Sequence, residues 1–370
     1  VSDLFSSSSL SKQEKIARLQ LSNTSRVGPI TYRQLLSMYG SAVEALQAIP
    51  ELSAKGGKKL SPPSKASVQQ ELAALEALGG EALFLGDGPY PDRLAAIDDA
   101  PPVLFSLGHT HLLDKDIIGM VGARNANAAG IKMTRDLAAG LSEAGIIVAS
   151  GLARGIDTAA HATSLQVGTI ACIAGGLDIV YPKENEALQD AIAAQGLLLS
   201  EAALGTRPTA RHFPKRNRLI SGIALGVIVV QAAKRSGSLI TARQALEQGR
   251  EVFAVPGSPL DLQSQGANQL IRDGAKLTQT IDDILEELSA LRSKPLSDPI
   301  GLPLFEAARE HTSGDIERKT IEALLSHTAM PVDDIIRLSE LPPGTVMSAI
   351  LELELGGICI RYPGNRIALV

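Results

Sequence analysis

From Phe213 to Arg250 the chain reads FPKRNRLISG, then an apolar GVIVV, then KRSGSLITARQALEQGR. Between Ala203 and Arg250 stand nine basic residues (Arg207, Arg211, Lys215, Arg216, Arg218, Lys234, Arg235, Arg243 and Arg250) against the single acid Glu247. The 370 residues together carry a formal charge of −5, so this +8 segment leaves the remainder at −13. An acidic protein with one strongly basic stretch has the electrostatic footprint of a polyanion-binding surface. A charge run is often only a solvated helix face, but here the charges flank glycine turns and strand ends rather than repeating at helical spacing.

Three more basic side chains fall in short glycine loops: Arg124 with Gly122 in GARN, Arg154 with Gly151 and Gly155 in GLARGID, and Lys183 in GGLDIVYPKEN. Glycine lets backbone N–H groups approach an anion, and a helix that follows aims its positive end at it. The Ser236, Gly237, Ser238 turn ahead of ITARQALEQ is the clearest phosphate cradle of this kind, although SGS also serves as an ordinary N-cap. If Pro214 is the first helical residue, Arg216 shares a face with Leu219, Ile220 and Ile223, while Lys215 and Arg218 point away. An arginine on that sheet-facing stripe needs an anion, either a bound phosphate or an internal carboxylate such as Asp157 or Asp178. Asp157 itself reads as a helix N-cap, and His161 and His212, with no acid at short spacing, as structural residues or phosphate contacts. Phe213 either stacks on one base or fills the core.

The elements that must hold these loops are legible as apolar runs at 117–121, 146–150, 169–174, 197–201, 226–230 and 251–255, separated by amphipathic stretches. Strands apolar on both faces and divided by helices make a parallel sheet covered on both sides, a doubly wound Rossmann-like fold of the α/β class. In such a sheet ligands bind outside the carboxyl ends of the strands, and all of the loops above follow strands. Around this core, at 81–292, the sequence predicts a helical module at 1–80, a linker at 293–304, and a section at 305–370 that reads three helices and a hairpin turning at Pro363 and Gly364.

Composition narrows the chemistry. The chain is 45% apolar and 20% charged, as in ordinary globular proteins. Cys172 and Cys359 lie far apart in apolar contexts and read as reduced packing residues, which with the absence of a signal-peptide pattern or a long apolar run gives a cytoplasmic expectation and no membrane attachment. There is no GxxxxGK[ST] loop for triphosphate hydrolysis, the GxGxxG dinucleotide spacing does not follow the first strand, and no His or Cys cluster suggests a metal; no cofactor is expected. Aromatics make up 3% with no Trp, which argues against a long base-stacking track.

The runs VGARN, SGLARGIDTAAH, GGLDIVYPKEN, FPKRNRLISG, RSGSLITARQALEQGREVFAVPGS and GANQLIRDGAKL, in this order over roughly residues 85–285, strongly resemble the DNA-processing protein A family (DprA, also called Smf). The resemblance implies an extended Rossmann-like, mostly parallel core. It also implies a homodimer that binds single-stranded DNA, protects incoming strands and helps load a RecA-type recombinase in natural transformation. It further implies DNA contacts from Arg124, Lys183, Phe213 and the rest of the FPKRN motif, Lys215, Arg216, Asn217 and Arg218. Ala123 stands where the family often has Ser, so a hydroxyl contact is lost there while the backbone N–H remains. The flanks resemble the family's accessories: a SAM or helix-hairpin-helix-like module, with RVGPITYRQLLSMYG, and a winged helix.

A different class of function shares this fold type. Lysine-decarboxylase-like nucleotide phosphoribohydrolases use a Pro-Gly-Gly-x-Gly-Thr-x-x-Glu motif to cleave an N-glycosidic bond; here Thr241 stands at the position of the carboxylate and cannot act as a general base. The winged-helix section carries ten acids and six bases, and its recognition helix, Pro343 to Gly356, holds Glu352 and Glu354 with no Lys or Arg. Such a helix repels phosphates and lacks base-reading side chains, so the domain is expected to make protein contacts, within the dimer or with a partner, rather than read DNA, with only Arg361 and Arg366 on the wing able to touch a DNA backbone.

Overall fold

The computed structural model describes residues 10–55, 57, 60–291, 314–362 and 364–370; the linker expected at 293–304 and Pro363 lie outside them. Four helices come first, α1 (Lys12–Ser22), α2 (Pro29–Tyr39), α3 (Ala42–Lys55) and α4 (Lys65–Ala77). The hydroxyls of Ser11 and Ser64 cap α1 and α4, and Gly40, at φ 77°, ends α2 in the left-handed conformation. Strands β1 (Gly80–Phe84) and β2 (Val103–Gly108) follow, with the single-turn helix α5 (Asp92–Ala95) between them.

The alternation of strand and helix then runs β3 (Ile117–Val121), α6 (Ala128–Glu143), β4 (Ile147–Ser150), α7 (Ile156–Ser164), β5 (Thr169–Cys172), α8 (Glu186–Gln195) and β6 (Leu197–Ser200). It continues through α9 (His212–Ile223), β7 (Gly226–Val229), α10 (Ser238–Glu247), β8 (Glu251–Ala254), α11 (Gln265–Arg272), β9 (Lys276–Leu277) and α12 (Ile281–Leu291). The nine strands form one sheet in the order β1-β2-β6-β5-β4-β3-β7-β8-β9. Strands β3 to β9 pair in parallel, and β1 and β2 add an antiparallel edge beside β6.

All six strands expected from the apolar runs are present, because their residues are buried on both faces. On one side of β3, Ile118 and Met120 meet Leu137 and Leu141 of α6 and Ile284 and Leu288 of α12; on the other, Ile117 and Val121 meet Leu219, Ile220 and Ile223 of α9. A third cluster joins Leu19 of α1, Val68 and Leu75 of α4 and Ile192 of α8 to Phe84, Phe105 and Leu198 of the sheet. The strand order reverses at β3, which places the crevice for a ligand at the carboxyl ends of β4, β3 and β7.

The last section is α13 (Asp315–Leu324), β10 (Met330–Pro331), α14 (Val332–Ser339), α15 (Pro343–Gly356), β11 (Cys359–Tyr362) and β12 (Arg366–Leu369), with β12 between β10 and β11 in a small antiparallel sheet. Every residue of α15 from Gly344 to Gly356 is buried. One face, with Val346, Ile350 and Leu353, packs on Ile321, Ile335 and Ile367 of its own unit. The other, with Leu351 and Leu355, packs on Leu21, Tyr32, Leu35 and Ile49 of the N-terminal helices. Arg26 donates to Leu355 O at 3.0 Å and Gln34 to Met347 O at 2.8 Å. The helix is thus covered by the N-terminal helices of the same chain, whereas the contacts expected were with a second copy or a partner. Glu352 pairs with Arg318 at 3.0 Å, and Arg361 turns inward onto Glu354 at 2.8 Å rather than standing free on the wing. One of the two charges that could have touched a DNA backbone is needed there to neutralise a carboxylate buried by the same packing.

Removing the tip of Leu351 leaves a void between two units that cannot both close on it. Leu351→Ala should cost about 2–5 kcal/mol of stability, measured by urea unfolding followed by circular dichroism. A loss under about 0.5 kcal/mol would show the contact to be loose.

Candidate nucleic-acid interface

The site begins with backbone. Gly155, at φ 77°, lets the loop after β4 touch the loop after β3: a Cβ there would stand 2.3 Å from Ala123 O, and Ile156 N donates to that same oxygen at 3.2 Å. Asn185 then joins the loop after β5 to the loop after β4, its amide donating to Leu152 O at 2.9 Å and to Thr158 Oγ1 at 3.0 Å. Gln231 accepts from Asn127 N at 3.2 Å, which fixes the loop after β7 against the start of α6. Four strand ends are therefore laced into one rim by backbone and side-chain hydrogen bonds.

Arg216 sits under this rim and is 7% exposed. Its guanidinium donates to Cys172 O at 2.6 Å and to Gly151 O, at the ends of β5 and β4. In place of the anion that the sequence demanded, the direct partners are two neutral carbonyls, with the Asp157 carboxylate as the nearby charge. Asp157 lies inside the first turn of α7 and accepts from Gly151 N and Ala153 N at 3.2 and 3.3 Å, so it holds a loop instead of capping its helix. Burial pushes the Asp157 carboxyl up and the Arg216 guanidinium down, each opposed by the other's charge. Asp178 accepts from Gly205 N at 2.8 Å, across the rim's outer loop.

Two neighbours are silent chemically. Thr169 Oγ1 donates to Val148 O and so accepts from His161 Nδ1 at 2.8 Å; burial, with Arg216, holds this imidazole down at about 3, neutral in the folded protein. Cys172 is buried and its thiol is pushed up to about 12.

Helix α9 starts at His212, two residues before the expected Pro214. Arg216 shares a buried face with Leu219, Ile220 and Ile223 as its spacing implied, but Arg218 does not point away. It is 5% exposed, donates to Glu201 Oε2 at 2.6 Å and to Asp99 O, and is enclosed because α9 packs against α5 and α10 as well as the sheet. Arg250 is likewise engaged, by Arg93 O at 2.6 Å. Of the nine basic residues between Ala203 and Arg250, Arg207, Arg211, Lys215, Lys234, Arg235 and Arg243 remain exposed.

Above Arg216 the side chains that face outward converge. The Arg124 guanidinium lies 5.3 Å from the centre of the Phe213 ring, and Tyr181, which the motif analysis left outside the contact set, lies 5.5 Å from it. Arg154 is exposed beside Glu184 at 3.7 Å, a pair that solvent leaves weak. Lys183 and Lys215 are exposed, Asn217 accepts from Arg216 Nε, and Gly122 and Gly151 form the floor of the loops. At the start of α10, Gly237 is open to solvent and the hydroxyls of Ser236 and Ser238 face each other at 2.7 Å; Gln244 of the same helix donates to Pro214 O, tying this turn to α9. Such a surface offers fixed N–H groups, several cations and two aromatic rings, the set that binds a phosphate chain with bases attached. Among the described residues no group of three or more His, Cys, Asp or Glu could hold a metal ion, and no helix is long and apolar enough to cross a membrane.

Residues 81–289 match the family model described as DNA recombination-mediator protein A, residues 12–74 a DprA-like N-terminal HHH domain, and residues 305–365 a DprA winged helix domain. The chain is 37% identical to protein Smf of Escherichia coli over 320 residues, which cover 84% of this chain and 83% of that one. It is similar in fold to DNA processing protein A from Streptococcus pneumoniae, with a TM-score of 0.64 and 37% identity over 76% of this chain and 99% of the other. A second structure, of DNA processing protein A from Helicobacter pylori, reported for its single-stranded DNA binding mode, is similar with a TM-score of 0.52 and 30% identity over 57% of this chain and 96% of the other.

The two arginines at the rim should separate cleanly. Arg216→Met leaves two carbonyls and the Asp157 charge buried without their partner and should cost about 3–5 kcal/mol of stability, whereas Arg124→Ala loses only a surface cation–ring contact worth no more than about 1 kcal/mol. Urea unfolding of both variants measures this, and equal losses would show that Arg216 does not organise the rim.

Proposed function

Because this chain belongs to the DNA recombination-mediator protein A (DprA/Smf) family, we propose that its rim binds single-stranded DNA with little sequence preference. On this reading the protein acts in the cytoplasm as a homodimer, protects incoming strands and helps a RecA-type recombinase to load on them in natural transformation. The observation that carries the reading is the convergence of Arg124, Phe213 and the exposed Lys183 and Lys215 over one glycine-walled floor. Phosphates meet the exposed cations and the backbone of the loops at Gly122, Gly155 and Gly237, beside the hydroxyls of Ser236 and Ser238, and Phe213 takes a base. Arg216 and Arg218 contribute from below by fixing the loops and α9, and Asn217 by orienting Arg216.

The protein acts without turning over a nucleotide, so any energy requirement belongs to the recombinase. The competing phosphoribohydrolase reading needs a carboxylate where Thr241 stands, 1% exposed within α10. Release of free base from nucleoside monophosphates would be its signature.

Binding through phosphates fixes the salt dependence. Log K for a single-stranded oligonucleotide should fall with log salt by ~0.7 for each phosphate neutralised. Arg124→Glu and Lys183→Glu should each weaken binding at least about tenfold for every sequence and lower that slope, while Arg366→Glu on the winged helix should leave it as it is. Titrations by fluorescence anisotropy at several salt concentrations measure this; unchanged affinity in both rim variants would remove the site from this edge of the sheet.

A further inference from the structure

Tyr181 is one of only 11 Phe and Tyr residues in a chain without Trp, and 47% of it is exposed. Its ring centre lies 5.5 Å from that of Phe213, with the planes inclined by 46°. Phe213 is itself partly covered, since Arg124 lies 5.3 Å and Arg216 6.0 Å from its ring centre. Two cations and one ring thus crowd Phe213, whereas Tyr181 is the open ring of the pair. The loop beneath Tyr181 is fixed, with Ile179 N donating to Gly176 O and Asn185 bonded to Leu152 O. Lys183, two residues on, is exposed, as is Arg124 beyond Phe213.

A phosphate is available to a cation in single and double strands alike. An aromatic ring reaches the face of a base only where that face is not covered by its stacked neighbours, and within a duplex, away from its two ends, it is covered. Resting on the reading that this rim binds DNA, we propose that Tyr181 is the main residue that makes it prefer single strands. One unpaired base lies on Tyr181, beside the base on Phe213, and the adjoining phosphates lie toward Lys183 and Arg124. The cations set how strongly the rim holds any strand, and Tyr181, as the open ring beside Phe213, adds the preference for a single strand.

The test uses the full chain with Tyr181→Ala and Tyr181→Phe, and three probes of equal length: a single strand, its duplex, and a strand with abasic sites throughout. Tyr181→Ala should weaken the single strand about 5- to 100-fold and leave duplex and abasic strand within about twofold, with the salt slope of the single strand unaltered. Tyr181→Phe, which keeps the ring, should bind as the unaltered chain does. Equal weakening on all three probes would show that Tyr181 only supports the rim that carries the cations and would overturn the proposal, as would full affinity of Tyr181→Ala for the single strand. Failure of the unaltered chain to bind any of the probes would instead overturn the function assigned to the rim, and that outcome is read before any variant is made.

Discussion

A single buried guanidinium holds the working edge of this protein together. Arg216 reaches from α9 to the last carbonyls of β4 and β5, and it does so inside the layer formed by Leu219, Ile220 and Ile223. A charge so placed is tolerated only because the two carbonyls and Asp157 surround it, and each of these in turn fixes a loop. The β4 loop cannot shift without leaving Arg216 unsatisfied, and the β3 loop cannot shift without colliding with the β4 loop at Gly155. Rigidity of this kind lets N–H groups and cations stand ready for a polyanion before it arrives, so that little ordering cost is left to binding.

Electrostatics then divides the molecule by function. The chain as a whole is acidic, yet Arg124, Lys183 and Lys215 are exposed around one crevice, and the remaining acid-rich surface discourages phosphates elsewhere. The same division explains the winged helix. Its recognition helix, α15, carries carboxylates that are paired with Arg318 and Arg361 and is covered on its outer face by α1, α2 and α3. A helix closed on both sides has no face left for a groove of DNA.

Much of this was legible in the residues. Six strands could be read because a parallel sheet covered on both faces needs unbroken apolar runs, and the loops of the site could be read because glycines and cations followed those runs. The edge strands β1 and β2 escaped notice: they lie in a passage crowded with proline and glycine, where local propensity reads as a connection and only the pairing of β2 with β6, and of β1 with β2, makes strands. Arg218 was misjudged because its partner Glu201 stands 17 residues earlier, at the end of a different strand, and helical geometry alone cannot see a second packed neighbour. That PGTVMSAILELELGG is buried on all sides was not read from its sequence, although its near-complete apolar wrap carries that signal, and which part of the chain would cover it is not written in the pattern.

The central claim is that the loops at the carboxyl edge of the parallel sheet, and not the winged helix, take the DNA. Amide hydrogen exchange with and without a single-stranded oligonucleotide tests it most directly. The account predicts added protection at residues 122–127, 151–155, 176–185, 211–217 and 234–238, with α15 and the strands β11 and β12 unchanged. Protection confined to residues 343–370, with those loops unaffected, would contradict it.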